Sequence, residues 1–145
     1  MQIITRQVKD KPLTVTIEYP EYNDSVSGLI RKINSMDIGF CANVDGRRIK
    51  IGLSETYYIE NVERKLFIYT AEDVCRLDLS MSEAEALTAD TGLVRISRTC
   101  IMNTDHLKEI RQVKNSHLEA VLDNGEMLIV SRKYLKDIKR VFQKG

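Results

Sequence analysis

The sequence has few of the residue types on which catalysis and extracellular stability usually depend. In 145 residues it contains no tryptophan, two prolines, two histidines and three cysteines. Cys41, Cys75 and Cys100 form no CxxC pair, so we expect free, buried thiols in a reducing compartment. The histidines, His106 and His117, pair with no nucleophile at an informative spacing, and no GxSxG, Walker or GxGxxG motif is present. We therefore expect no enzyme, no cofactor, no metal site and no small-molecule substrate.

Long apolar runs are also absent. No stretch approaches the roughly 20 apolar residues that a membrane-spanning helix needs. The N-terminal sequence MQIITRQVKDK lacks the continuous apolar region of a secretory signal. The composition, 43% hydrophobic and 30% charged, is typical of a soluble globular protein. We expect a cytoplasmic protein with one ordinary core and a small appendage.

Charge is distributed unevenly along the chain, although the net charge is only +1. From Arg95 to Gly145, eleven lysines and arginines stand against six acids, a net charge of +5, whereas the first 94 residues carry −4. A basic end of this kind predicts a polyanionic partner. An ordinary solvated surface is the alternative that charge alone leaves open.

The first 40 residues differ in pattern from the rest. Apolar and polar residues alternate in PLTVTIEYP, which predicts a strand, and apolar residues recur at helical spacing in NDSVSGLIRKINSM, which predicts a helix. From about residue 38 short strand-like runs follow one another. Asp45-Gly46 and Asn124-Gly125 each lie between two such runs and predict hairpins.

Two further elements are predicted in this β-rich part. The charged turn Glu63–Lys65 separates two strands rich in aromatic and β-branched residues. The segment MSEAEALTADTG predicts a short helix, with Ser82 and Glu85 as a capping box and Gly92 as its stop.

The C-terminal segment SRKYLKDIKRVFQ predicts a helix with Ser131 as its N-cap. Arg132 and Lys133 would then lie in the first turn, where each exposed cation costs about 0.3–1 kcal/mol against the helix dipole. An external anion such as phosphate would explain this arrangement, because free N–H groups, the Ser131 hydroxyl and both cations would meet it together. Neutralisation within the chain by Glu126 or Asp137 is the alternative.

A polar ribbon precedes an apolar run in RISRTCIMN. Val94 and Ile96 are expected to face one way along a strand, and Arg95 and Ser97 the other. The triplet Ser97–Thr99 presents a guanidinium between two hydroxyls, which suits a phosphate or a guanine edge. The apolar run Cys100–Met102 would anchor this ribbon to the core. A solvated strand end is the alternative.

From about Ile49 to Phe142 the chain resembles the LytTR DNA-binding domain of bacterial transcription regulators. The motifs that carry the resemblance are YYIE (57–60), LFIYT (66–70), SEAEAL (82–87), LVRISRTCIMN (93–103), DNG (123–125) and SRKYLKDI (131–138). They match the family in order and spacing over about two thirds of the chain. In one departure, the family's usual histidine is Ser97 here, which puts the reading of DNA at that position in doubt.

The resemblance implies a mainly β (α+β) fold, an elongated arrangement of short antiparallel sheets with two short helices, preceded by the strand–helix unit. It divides the chain into an extension, 1–40, and a LytTR-like domain, 41–145. Loops on one side would enter the grooves of double-stranded DNA, in place of a recognition helix. The implied contact residues are Arg64, Lys65, Ser97, Arg98, Thr99, Ser131, Arg132, Lys133 and Lys136.

The resemblance also implies a sequence-specific bacterial transcription regulator that binds DNA as a homodimer. About 45 residues precede the match, too few for a receiver domain, so the chain looks like the receiver-free, compact subgroup. Such proteins are often encoded beside a small membrane protein thought to restrain them, and residues 1–40 would be a dimerisation or partner element. A module binding RNA or single strands is an alternative, although aromatic residues are few at the basic end. A protein-interaction module is another.

Overall fold

Short antiparallel strands are the main regular structure in the computed structural model, which describes residues 1–36, 39–113, 117–136 and 138. The mainly β architecture that the sequence predicts is confirmed. In chain order the strands are β1 Gly39–Val44, β2 Arg47–Gly52, β3 Tyr58–Val62, β4 Lys65–Tyr69, β5 Val74–Leu77, β6 Leu93–Ser97, β7 Cys100–Asn103, β8 Leu107–Val113, β9 His117–Leu122 and β10 Met127–Val130, and the helices are α1 Asp24–Met36 and α2 Met81–Leu87.

Seven of these strands form one sheet, in the order β2-β1-β5-β4-β3-β7-β6, and the other three form a second sheet, β10-β9-β8. Every pairing is antiparallel, and short turns join β1 to β2, β3 to β4, β6 to β7 and β9 to β10, whereas α2 lies between β5 and β6. Strands β2 and β6 are therefore the two opposite edges of the large sheet. The edge formed by β6 lies against the end of β10.

Both glycine-containing hairpins are confirmed. Asp45 and Gly46 have φ values of 49° and 78°, the left-handed pair that a two-residue hairpin turn requires. In the second hairpin Gly125, with φ 90°, donates its N–H to the carbonyl of Leu122 at 3.0 Å, and the N–H of Leu122 donates to Glu126 O at 2.9 Å. Glycine is suited to this position because it adopts positive φ without steric cost.

Both faces of the large sheet are covered near its middle. One face carries a core that includes Ile59 and Ile101 and is closed by Met81 and Ala84 of α2. The other face packs on the three-stranded sheet through a second core. Its buried members are Tyr58, Ile96, Cys100, Met102, Ala120, Leu122, Leu128, Val130 and Ile138.

The predicted strand in residues 13–18 is wrong. Residues 1–23 carry no strand and are almost entirely exposed; Leu13 is 100% and Ile3 81% exposed. Alternation alone does not form a strand, since the backbone groups of an extended segment need a partner strand. The helix that follows is confirmed as α1, and its apolar stripe is only half-buried.

Helix α2 is confirmed, but its predicted ends are wrong. Its capping box is formed by Ser80 and Glu83: Glu83 N donates to Ser80 Oγ at 3.1 Å, and Ser80 N donates to Glu83 Oε1 at 3.2 Å. The helix ends at Leu87 with Thr88 as its C-cap, so Gly92 is not its stop. Within the described part of the chain, no helix is long and apolar enough to cross a bilayer.

Two of the three cysteines are buried, as predicted. Cys41 is exposed, because it points outward between the buried residues Phe40 and Ala42 of β1. All three thiols are free.

Candidate nucleic-acid interface

The turn between β6 and β7 presents the predicted triplet Ser97–Thr99. Arg98 and Thr99 form the turn and are exposed, whereas Ser97 ends β6 and is half-buried. Thr99 N donates to Ser97 Oγ at 3.2 Å, so the serine hydroxyl stabilises the turn from within. Of the three side chains, that of Arg98 is the one free to extend from the surface.

Strand β7 holds this turn against the two cores. Ile101 points into one core, and Cys100 and Met102 point into the other, so all of the strand is buried. The expectation that these residues anchor the polar ribbon is confirmed by this packing. Burial raises the pKa of the Cys100 thiol to about 12, with a further contribution from the negative charge of Glu60. Cys100 therefore stays a protonated packing residue.

The turn between β3 and β4 lies beside the Ser97–Thr99 turn. Glu60 pairs with Cys100 across β3 and β7, and Asn61 N donates to Thr99 O at 2.8 Å. Both hairpin ends therefore emerge at the same end of the sheet. Glu63 and Arg64 form this turn with φ values of 51° and 68°. Residues other than glycine rarely adopt this left-handed backbone conformation, and each such residue is strained by about 1 kcal/mol or more.

The segment after β10 joins the same surface. Ser131 N donates to Ile96 O at 2.8 Å, which places the segment against β6, one residue before the polar triplet. Arg132, Lys133 and Lys136 are exposed, and Ile138 is fully buried in the second core and anchors the segment.

The predicted C-terminal helix begins as a 3₁₀ turn, Arg132–Tyr134, and most of its remainder lies outside the described residues. Ser131 is at the N-cap position, as predicted, but its side chain accepts no capping hydrogen bond. Instead the Ser131 carbonyl accepts from Tyr134 N at 3.0 Å. The Lys133 ammonium lies 5.7 Å from the centre of the Tyr134 ring, within the range of a cation–π contact.

The exposed cations of the three turns share one property. In the described ranges, no carboxylate lies within 4.0 Å of Arg64, Lys65, Arg98, Arg132, Lys133 or Lys136. Glu126 therefore does not neutralise the first turn of the C-terminal segment, and Asp137 lies outside the described residues. One edge of the molecule thus carries a group of uncompensated positive charges, a suitable surface for a polyanion.

Arg95, in contrast, points inward. Its Nη1 lies 2.8 Å from Glu85 Oε2 on α2, and its side chain is 20% exposed. Sequence reasoning missed this partner, because it assigned Glu85 to the capping box. The S-x-x-E pattern occurs twice in SMSEAE, and the use of Ser80 and Glu83 leaves Glu85 free to bind Arg95.

Of the two histidines, His106 packs and forms hydrogen bonds within the protein, whereas His117 lies on the surface. His106 stacks on Tyr57 with ring centres 4.0 Å apart, and its ring nitrogens lie 3.1 Å from Asp123 Oδ2 and 2.8 Å from Ser54 O. His117 is exposed. Among the described residues no three metal-ligating side chains come together.

The family model of the LytTr DNA-binding domain matches residues 46–143, which include all three turns. The chain belongs to the LytTR family of DNA-binding domains. The resemblance in the sequence motifs is thereby confirmed.

Relatives and a solved structure agree with this membership. The sensory transduction protein LytT of Enterococcus faecalis is 30% identical over 93 residues, 63% of this chain. This LytTR chain spans only 38% of the length of that protein. An uncharacterized HTH-type transcriptional regulator of Staphylococcus aureus is 24% identical over 130 residues, 86% of each chain. A solved LytTr DNA-binding domain from Bacillus cereus, 24% identical, covers 72% of this chain and 95% of its own with a TM-score of 0.66, and so has the same fold.

Proposed function

We propose that this LytTR chain is a transcription regulator that binds double-stranded DNA sequence-specifically through its three adjacent turns. The observation that supports this most is the backbone connection between them: Thr99 O accepts from Asn61, and Ile96 O accepts from Ser131. These bonds bring cations from three separate parts of the chain to one edge. The proposed contacts are those of the sequence prediction, Arg64, Lys65, Ser97, Arg98, Thr99, Ser131, Arg132, Lys133 and Lys136.

The roles of these residues differ in this proposal. Arg98 reads a base edge, since it is the exposed guanidinium at the tip of a rigid turn. The cations of the other two turns contact phosphates, which fix the register of the protein on the duplex. Ser97 contributes through the turn, because its hydroxyl is already bonded to Thr99 N. We further propose that the protein acts in the cytoplasm and catalyses no reaction.

A salt series tests the binding mode. With about five cations engaged, log K for duplex DNA should fall with log salt at a slope of about −4 to −5. A single strand of the same sequence is the control. A flat salt response, or tighter binding to the single strand, would contradict duplex binding and favour a single-strand or protein-interaction module.

Arg98→Ala tests the specificity. Affinity for a site selected from random duplexes should fall by about 1–3 kcal/mol, and affinity for random DNA by less. Arg48→Ala is the matched control, because Arg48 is an exposed arginine on β2, at the opposite edge of the large sheet. Equal losses on both DNAs would make Arg98 a phosphate contact.

We also propose that residues 1–40 mediate homodimerisation on DNA or docking of a regulatory membrane protein, while residues 41–145 form the DNA-binding domain. The half-exposed apolar stripe of α1 supports this, as does the exposed apolar content of residues 1–23, which includes Val15 and Tyr22. Ile30→Glu and Ile33→Glu, both on that stripe, should reduce the mass of the DNA complex in analytical ultracentrifugation from that of two chains per duplex to that of one chain per duplex. An unchanged mass would argue against a role of α1 in the dimer.

A further inference from the structure

Arg95 uses its guanidinium within the protein. Its Nε donates to Ser97 O at 2.8 Å, and its Nη2 donates to Arg98 O at 2.5 Å. Its Nη1 donates to Glu85 Oε2 at 2.8 Å. All three nitrogens therefore have a partner, and the planar fork of arginine is the side chain that can satisfy these directions at once.

The two carbonyls that Arg95 binds define the backbone of Arg98. Ser97 O belongs to the peptide plane before the Arg98 Cα, and Arg98 O belongs to the plane after it. Peptide groups are planar, so holding both carbonyls fixes φ and ψ of Arg98. The direction of the Cα–Cβ bond of Arg98 is then fixed as well.

Arg95 is itself held from two sides. Glu85 is on α2, whose Met81 and Ala84 are buried in the first core. The Arg95 guanidinium carbon also lies 5.9 Å from the centre of the Tyr134 ring, in the segment that carries Arg132 and Lys133. The orientation of the Ser97–Thr99 turn is thereby linked to the rest of the fold and to the neighbouring cationic turn.

We propose that Arg95 is a positioning residue that determines how well the protein discriminates between DNA sequences, by fixing the direction of Arg98 and without contacting DNA itself. This inference rests on the proposed function. Lysine is the informative replacement, because it keeps the positive charge and the aliphatic stem but cannot bind two carbonyls and a carboxylate as a planar fork.

The experiment compares Arg95→Lys with the wild type in titrations of a selected duplex and of random duplexes over a salt series. We expect discrimination between the two DNAs to fall by about tenfold or more, affinity for random DNA to change by no more than about twofold, and the salt slope to stay the same. Glu85→Gln, which alters only the exposed partner, should reduce discrimination in the same direction and by less. Arg76→Lys is the matched control, since Arg76 is also paired with a carboxylate, at 3.9 Å from Asp78, on β5.

Two outcomes would overturn the proposal. Equal losses on both DNAs, with a salt slope reduced by about one, would make Arg95 a phosphate contact. A lower melting temperature with unchanged discrimination by the folded protein would give it a structural role only.

A measurement without DNA separates this proposal from the proposed function. In NMR relaxation of the free protein, the amides of Arg98 and Thr99 should become mobile in Arg95→Lys and stay ordered in Arg76→Lys. If the wild type prefers no duplex sequence, the proposal of sequence-specific regulation is wrong. The mobility of the Ser97–Thr99 turn still shows whether Arg95 orders that turn. Unchanged amide order in Arg95→Lys would refute the positioning role.

Discussion

Replacing the buried Asn103 by alanine should destabilise the protein strongly. The side chain is 1% exposed at the end of β7, and its Nδ2 donates to Leu53 O at 3.0 Å and to Thr56 O at 2.8 Å. Its Oδ1 accepts from Asp105 N at 3.0 Å. One side chain therefore joins β7, the strand that anchors the polar ribbon, to the 3₁₀ turn Leu53–Glu55 before β3.

The magnitude follows from what each partner loses. Thr56 is fully buried, so its carbonyl loses a donor where water does not easily replace it, at about 1–3 kcal/mol. Leu53 O still accepts from Thr56 N, and Asp105 is exposed, so these two losses cost about 0.5 kcal/mol each. The total is about 2–4 kcal/mol, or a fall in melting temperature of about 6–12 °C for a chain of this length.

Thermal and chemical denaturation of Asn103→Ala measure this loss. Asn124→Ala is the control, because the Asn124 side chain also accepts one backbone N–H, from Glu126 at 3.0 Å, but is exposed in a turn. Its cost should be less than about 1 kcal/mol. Comparable losses in the two variants would refute the view that burial, rather than the hydrogen bonds alone, makes Asn103 important.

Two other outcomes can be predicted. Changing both Arg132 and Lys133 to Glu should alter the free energy of unfolding by no more than about 1 kcal/mol, because removing two cations from the helix start offsets the lost contact of Lys133 with Tyr134. Duplex titration should show that DNA binding is lost. A destabilised protein with normal affinity would contradict the phosphate role. The pKa of Asp123 is lowered chiefly by its hydrogen bond from His106, so this carboxylate adds stability above about pH 4 that is lost as pH falls through its folded pKa. The stability advantage of the wild type over Asp123→Asn, measured by urea denaturation, should therefore shrink below about pH 4, and a difference that is independent of pH would argue against this pair.

Local patterns predicted the elements whose cause is local. The Asp45-Gly46 and Asn124-Gly125 hairpins follow from residues that tolerate positive φ, and strands such as β5 and β10 follow from the alternation of buried and exposed residues. The strand predicted at 13–18 failed, because pairing with another strand is not visible in one segment.

The candidate site was predictable in composition but not in geometry. Charge pattern and family motifs identified the three turns, whereas the inward orientation of Arg95 depends on α2 and on the register shift of β6 between Arg95 and Ser97. These are tertiary features, and a sequence window around Arg95 contains no sign of them. The choice between the two S-x-x-E pairs was equally undetermined, because both have the required spacing.

The burial of β7 on both faces has a thermodynamic consequence for association with DNA. A turn whose supporting strand is already packed loses little conformational entropy when it meets a ligand. Little folding would then be coupled to binding, so the change in heat capacity should reflect the contact surface alone, without the larger negative contribution of an ordering segment. Adaptation at the interface would come from the duplex, and flexible base steps at the centre of the site would favour binding even where no side chain reaches them.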